Sequence, residues 1–171
     1  QNVKLVAMAD AFSYRIEESV KAINKEMADA GLDKMKFAVT PDKQFVGFDA
    51  YKKAIALADV VILATPPGFR PIHFEEAVNQ GKHIFMEKPV ATDAVGVRRV
   101  LAAAQIAKTK KLNVVVGLQR HYQKMYQTWV DALQNGAIGD IISSRVYWND
   151  AGVWVRPRKE GQTEMEYQMR N

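Results

Sequence analysis

Two short apolar segments, residues 59–67 and 83–89, constrain the fold of this chain more than any other feature. Their cores, V-V-I-L-A at 60–64 and H-I-F-M at 83–86, lack the alternation of polar and apolar residues that marks a strand with one solvated face. Continuous apolar strands are typical of parallel sheets covered by helices on both faces. Helical patterns with short connections separate them, so the sequence predicts an α/β fold with a doubly wound parallel sheet.

Chemically useful residues follow both segments at the point where each strand should end. Thr65 and Pro66 follow the first segment, and Glu87, Lys88 and Pro89 close the second. Ligands of open parallel sheets bind beyond the carboxyl ends of the strands. We therefore predict that these residues line a ligand site. Lys88, a cation in a segment otherwise suited to burial, is a candidate for chemistry.

The rest of the chain continues this alternation and then departs from it. Apolar runs and helical spacing predict further strands at 3–9 and 112–118 and helices at 14–30, 49–57, 71–80, 93–108 and 122–134. From residue 138 the pattern changes, because residues 141–148 indicate a longer, half-polar strand with no helix after it. A second, α+β domain is therefore expected to begin there.

Composition excludes several classes of function. The 171 residues are 48% hydrophobic and 25% charged. The formal net charge of +5 would suit nucleic-acid binding, but the basic residues lie on predicted helices that also carry acids, which argues against it. There is no cysteine, and the three histidines lack metal-ligand spacing, so we expect no metal. No apolar run reaches the length of a membrane span.

Asp10, at the end of the first predicted strand, has two interpretations. A carboxylate there can bind both hydroxyls of an adenosine ribose and repel a 2′-phosphate, which would favour NAD over NADP. It is equally suited to cap the helix that follows. None of the ten glycines forms the G-x-G-x-x-G turn that lets a pyrophosphate approach the backbone.

Five features, in this order and spacing, resemble the glucose-fructose oxidoreductase, inositol dehydrogenase and rhizopine-catabolism family (Gfo/Idh/MocA). They are Asp10 after an apolar strand, A-T-P-P at 64–67, G-K-H-I-F-M-E-K-P at 81–89, G-L-Q-R at 117–120 and G-A-I-G-D at 136–140. The resemblance implies a dinucleotide-binding Rossmann domain over residues 1–137. It also implies the start, at 138–171, of a domain that carries substrate contacts and often mediates homo-oligomerisation.

The resemblance also assigns roles to the strand-end residues. Lys88 is expected near the nicotinamide ribose, where it hydrogen-bonds the substrate oxygen during hydride transfer and can exchange a proton with it. Thr65 and Pro66 would line the cofactor beside the nicotinamide. Glu87 would orient Lys88 or the ribose, and Pro89 would fix the turn.

Substrate contacts are expected from residues further along the chain. Arg120 would face the ligand, or would pair with an acid at the domain junction. Trp154 and Arg156 lie in a segment, 148–158, that resembles a loop contacting sugar or the partner subunit, and both alternatives stay open. His73 is interpreted as a packing residue of its helix.

The function predicted from these features is an NAD-dependent oxidoreductase that transfers a hydride between nicotinamide and a sugar, cyclic polyol or related hydroxy compound. The alternatives are an NAD-dependent glycosidase of the same family and a non-catalytic binding protein or fragment. We expect the chain to be an internal segment that lacks the family's first strand, with its glycine-rich turn, and most of the carboxyl-terminal domain. The first strand is central, so the Asp10 strand and the Val60 strand should lie apart. The cytoplasm is the default compartment, with export the alternative.

Overall fold

Parallel strands alternate with helices along the first two thirds of the chain. The computed structural model describes residues 3–152 and 155–169, and the chain divides into two compact units, Gln1–Gln123 and Lys124–Asn171. The described residues of the first unit form β1 (Met8–Asp10), α1 (Ser13–Asp29), two single 3₁₀ turns (Lys34–Lys36 and Pro41–Lys43), β2 (Gln44–Val46), α2 (Ala50–Leu57), β3 (Val60–Leu63), α3 (Arg70–Asn79), β4 (His83–Glu87), α4 (Ala94–Thr109), β5 (Val114–Gly117) and α5 (Gln119–Tyr122). The predicted α/β class is confirmed.

The strands form two separate parallel sheets. One contains β1 and β2, which are extended by a bridge between Leu5 and Phe37, and the other has the order β3-β4-β5. Asp10 thus closes a strand of one sheet, and Val60 opens a strand of the other. The prediction that these two strands lie apart is confirmed. Helix α2 packs against β1 and β2 and also against α3.

The hydrophobic core lies on one face of the three-stranded sheet. Val61 and Leu63 of β3 and Ile84 and Met86 of β4 are buried against α3 and α4, whose core residues are Phe74, Ala77, Val78, Val100, Ala103 and Ala107. The opposite face of β3 is open, because Val60 and Ile62 are 58% and 69% exposed. The apolar run at 60–64 therefore does not have both faces buried, contrary to the expectation from its composition.

Local signals explain how the helices beside the core begin and end. The Asp93 carboxylate caps α4 by accepting a hydrogen bond of 2.6 Å from the Gly96 amide. Pro71, which lacks an amide hydrogen, occupies the first turn of α3, where no such donor is required. The turn after α3 reaches Gly81 at a φ of 72°, a conformation that favours glycine.

The second unit, described by itself, contains α6 (Lys124–Gln134) and α7 (Glu164–Gln168) among its described residues. Thr163 and Glu166 form a reciprocal capping box at the start of α7, and Arg158 pairs with Glu164. The strand predicted at 141–148 is wrong, since these residues adopt no regular structure and are exposed. The predicted domain boundary between residues 137 and 138 stays a prediction. No described helix has the length and hydropathy to cross a membrane.

Candidate functional site

The carboxyl end of β3 carries a hydroxyl held by a buried histidine. Thr65 follows β3, and its Oγ1 lies 3.0 Å from Nδ1 of His73, which is 8% exposed in α3. The His73 ring also packs against Tyr51, with ring centroids 4.2 Å apart. Burial, assisted by the charge of Arg70, lowers the pKa of His73 to about 4, so the imidazole is neutral near pH 7.

The ends of β3 and β4 are joined by one arginine. Arg70, the first residue of α3, is 2% exposed, and its Nη1 donates to the carbonyl oxygens of Glu87 at 2.7 Å and Pro89 at 2.5 Å. Its Nη2 donates to the carbonyl oxygen of Thr65. Burial lowers the pKa of this guanidinium, and the Glu87 charge opposes the effect. The segments containing Thr65 and Lys88 are therefore anchored to a single side chain.

The end of β4 presents a lysine and a carboxylate in different surroundings. The Lys88 side chain is exposed, and the Lys88–Pro89 peptide bond is cis. Glu87 is paired with Gly117 of β5 and is half-buried. A Cβ atom on Gly117 would lie 2.8 Å from Glu87 Oε1, so the carboxylate occupies the space that a side chain would need. Glycine at 117 thus allows the Glu87 carboxylate to rest against the next strand.

Asp10 has a local hydrogen bond at the end of β1. Its Oδ1 accepts a hydrogen bond of 3.0 Å from the Phe12 amide, just before α1 begins. A carboxylate has about four lone-pair sites, so one such bond leaves capacity for ribose hydroxyls. Phe12, not Asp10, is the N-cap of α1, and α1 has no side-chain cap hydrogen bond, so the cap interpretation of Asp10 is wrong. The ribose interpretation of Asp10 stays a prediction.

The three residues predicted to contact substrate lie away from this anchored group in the sequence. Arg120 is an exposed residue of α5 in the first unit, and Arg156 is exposed in the second unit. Trp154 lies outside the described residues. The roles of these three residues stay predictions, as do the roles of Thr65, Pro66, Glu87, Lys88, Pro89 and Asp10.

Sequence reasoning missed Arg70 as a site residue and interpreted His73 only as a packing residue. The two residues are three positions apart in α3, which places them on neighbouring parts of one helix face. The helix that carries both residues begins at Arg70, shortly after the turn that contains Thr65. An arginine and a histidine at this spacing after a strand end are only a weak signal, because the main-chain acceptors of Arg70 leave no motif in the sequence.

Comparison with known proteins gives the family. The family model for Gfo/Idh/MocA proteins, described as "Oxidoreductase family, NAD-binding Rossmann fold", matches residues 4–136. The chain belongs to this family. Its membership confirms the resemblance, the Rossmann fold and the assignment to NAD-binding oxidoreductases.

Relatives and solved structures of this family include several inositol dehydrogenases. The inositol 2-dehydrogenase of Rhizobium meliloti is 27% identical over 140 residues, which are 82% of this chain and 36% of that protein. The crystal structure of myo-inositol 2-dehydrogenase from Lactobacillus plantarum has a TM-score of 0.60 at 25% identity, covering 83% of this chain and 36% of the other. A scyllo-inositol dehydrogenase from Lactobacillus casei, solved with NAD(H) and scyllo-inositol, has a TM-score of 0.57 at 22% identity, covering 82% of this chain and 36% of the other. The chain spans about a third of the length of these proteins.

The residues present fit two parts of the dinucleotide that the Gfo/Idh/MocA family binds. The Asp10 carboxylate suits the adenosine ribose, and the exposed Lys88 with Thr65 and Glu87 suits the polar groups of a nicotinamide riboside. The pyrophosphate is different, because the sequence contains no G-x-G-x-x-G turn to bring backbone amides close to it. The fit is therefore good at the two ends of the cofactor.

Proposed function

We propose that this chain supplies the cofactor-binding part of an NAD-dependent oxidoreductase that acts on a secondary hydroxyl of a cyclic polyol. The observation that carries the proposal is the position of Lys88, exposed at the end of β4, with its segment tied to the Thr65 turn by Arg70. Family membership supports the cofactor class. The inositol dehydrogenases among its relatives support the substrate class.

In this mechanism the chain's residues bind, orient and move a proton. Lys88, in its neutral amine form, accepts a hydrogen bond from the substrate hydroxyl and takes its proton as the alcohol becomes a carbonyl. Thr65, held by His73, and Pro66 position the nicotinamide end, and Asp10 holds the adenosine ribose. When bound, NAD supplies the hydride acceptor. Glu87, resting against Gly117, orients Lys88 or the neighbouring ribose.

The partners and compartment that we propose follow from the family and the composition. The substrate is a small polyol or sugar, with Arg120, Trp154 and Arg156 as its contacts. The domain that begins at residue 138 carries those last two residues and mediates homo-oligomerisation. The cytoplasm is the default compartment.

The first experiment is a titration of the chain with NADH and, separately, NADPH, followed by nicotinamide fluorescence. Saturable binding that prefers NADH is expected, because the Asp10 carboxylate repels a 2′-phosphate. The substitution Asp10→Asn should reduce that preference. A folded chain that binds neither nucleotide would contradict the proposal.

The second experiment measures NAD reduction with myo-inositol as the probe substrate. Lys88→Met should lower turnover by about 100-fold or more, because a positioned proton acceptor contributes at least that much. Lys53→Met, which removes an exposed lysine of α2, is the matched control and should leave turnover unchanged. Unchanged turnover in Lys88→Met would overturn the assignment. In a parallel assay with a glycoside as the substrate, cleavage without net NADH release would also overturn it.

A further inference from the structure

Arg70 connects parts of the chain that are distant in sequence. Its guanidinium donates to the carbonyl oxygen of Thr65, five residues earlier, and to those of Glu87 and Pro89, 17 and 19 residues later. These acceptors belong to the turn after β3 and the turn after β4. One side chain therefore fixes the distance between the two turns that carry the proposed site residues.

This arrangement requires an arginine because of the shape of the guanidinium group. The guanidinium is planar and presents five N–H donors in a rigid fork, whereas a lysine ammonium is a point charge on a flexible stem. At Arg70 one nitrogen reaches two carbonyl groups and a second nitrogen reaches the third. A lysine cannot hold all three acceptors in the same geometry.

Burial of this cation argues against a simple packing role. Arg70 is 2% exposed, and its Nε is a buried atom without a hydrogen-bond partner. Burying a charge and leaving a donor unpaired both cost free energy, whereas an apolar residue of similar size would fill the space without that cost. The buried guanidinium therefore serves its three carbonyl contacts and does not only fill space.

The contacts hold Lys88 from both sides. Two of the acceptors, at the end of β4 and just beyond it, are the carbonyl oxygens of the residues directly before and after Lys88, while the Lys88 side chain is exposed. The third contact holds Thr65, whose hydroxyl lies against His73. The backbone of Lys88 is thus fixed relative to Thr65, and its side chain stays available to a ligand.

We propose that Arg70 is a positioning residue that sets the placement of Lys88 relative to Thr65 for hydride transfer. The proposal rests on the proposed function, since the benefit of this placement is catalytic. A displacement of about 1 Å at a reacting group can lower a rate by about 100-fold. Arg70 acts through the backbone of other residues and does not touch the substrate.

The test compares Arg70→Lys with Arg99→Lys, a matched control that alters a half-exposed arginine of α4 paired with Glu75. Hydrogen exchange measured by mass spectrometry is the readout that does not require activity. Peptides covering 65–70 and 87–91 should exchange at least about fivefold faster in Arg70→Lys, while the α4 peptide 100–107 keeps its wild-type rate. Faster exchange throughout the unit, or no change in either turn, would overturn the proposal.

Kinetics then separate positioning from binding. In Arg70→Lys, kcat for the polyol should fall about 30- to 100-fold with KM changed less than about threefold, and Arg99→Lys should match the wild type. Equal kcat in Arg70→Lys and Arg99→Lys would refute the positioning role. Failure of both Arg70→Lys and Arg70→Met to fold would also refute it. If the wild-type chain binds no NADH and the complete enzyme oxidises no polyol, the proposed function fails, while the exchange comparison still tests the anchoring by Arg70.

Discussion

His73 should make the stability of the first unit depend on pH. Burial, with the charge of Arg70 as the smaller cause, lowers the pKa of the His73 imidazole from 6.5 to about 4. In the unfolded chain the ring has its ordinary pKa of about 6.5. As the pH falls below that value, the unfolded state takes up a proton that the folded state does not. Acid therefore favours unfolding.

The size of the effect follows from the two pKa values. A difference of about 2.5 pKa units corresponds to about 3.4 kcal/mol once the pH is below both. Between pH 7.5 and pH 5, linkage gives a loss of about 2 kcal/mol in the free energy of unfolding from this one ring. The stability is complete above the unfolded pKa and is lost progressively as the pH falls towards about 4.

Urea unfolding at pH 7.5 and pH 5 measures this loss. The variant His73→Phe keeps a ring against Tyr51 but removes the titration, so its free energy of unfolding should change by about 2 kcal/mol less than that of the wild type. His121→Phe, at an exposed position of α5, is the control and should keep the wild-type pH dependence. Equal pH dependence in His73→Phe and the wild type, or an NMR titration of His73 centred near 6.5, would refute the reasoning.

Two further substitutions test the site and the core. Gly117→Ala places a Cβ 2.8 Å from Glu87 Oε1, so the carboxylate must move. The affinity for NADH should then fall about 3- to 10-fold in a fluorescence titration. The control Gly68→Ala, whose new Cβ has its nearest neighbouring atom at 3.9 Å, should bind NADH with the wild-type affinity. Equal affinities would show that the Glu87 position is unimportant. Val78→Ala, at a fully buried position, should lower the free energy of unfolding in urea by about 2 kcal/mol. Val97→Ala, at a position that is 43% exposed, should lower it by less than about 0.5 kcal/mol. Similar losses in the two variants would contradict the placement of the core.

The sequence predicted the fold where local pattern and tertiary packing agree. The buried halves of β3 and β4, the Asp93 cap and the parallel alternation all follow from residues close together in the chain. The strand predicted at 141–148 did not form, because a half-polar strand is stabilised by hydrogen bonds to a neighbouring strand and such bonds cannot be inferred from alternation alone. The open face of β3 has a related explanation. An apolar run shows that both faces of a strand can be buried, but it does not show whether a helix covers each face.

The candidate site was predictable in part for a similar reason. Thr65 and Lys88 stand at strand ends, and strand ends are readable from apolar runs. Arg70 was missed because its acceptors are main-chain carbonyl groups, which every residue possesses and which no motif reveals. His73 was assigned to packing, and it is indeed buried, but its ring also contacts the Thr65 hydroxyl. Side chains that act on the backbone leave little trace in sequence.

The two ends of the proposed dinucleotide site are held by different contacts. Lys88 follows a strand of the three-stranded sheet, and its neighbours are bound by Arg70. Asp10 belongs to the two-stranded sheet, where its carbonyl oxygen accepts from the Gly47 amide and its carboxylate accepts from the Phe12 amide. Helix α2 is packed against both β1 and α3, and so links the two ends. The distance between the Asp10 end and the Lys88 end therefore depends on the packing of α2 as well as on the local contacts of each end.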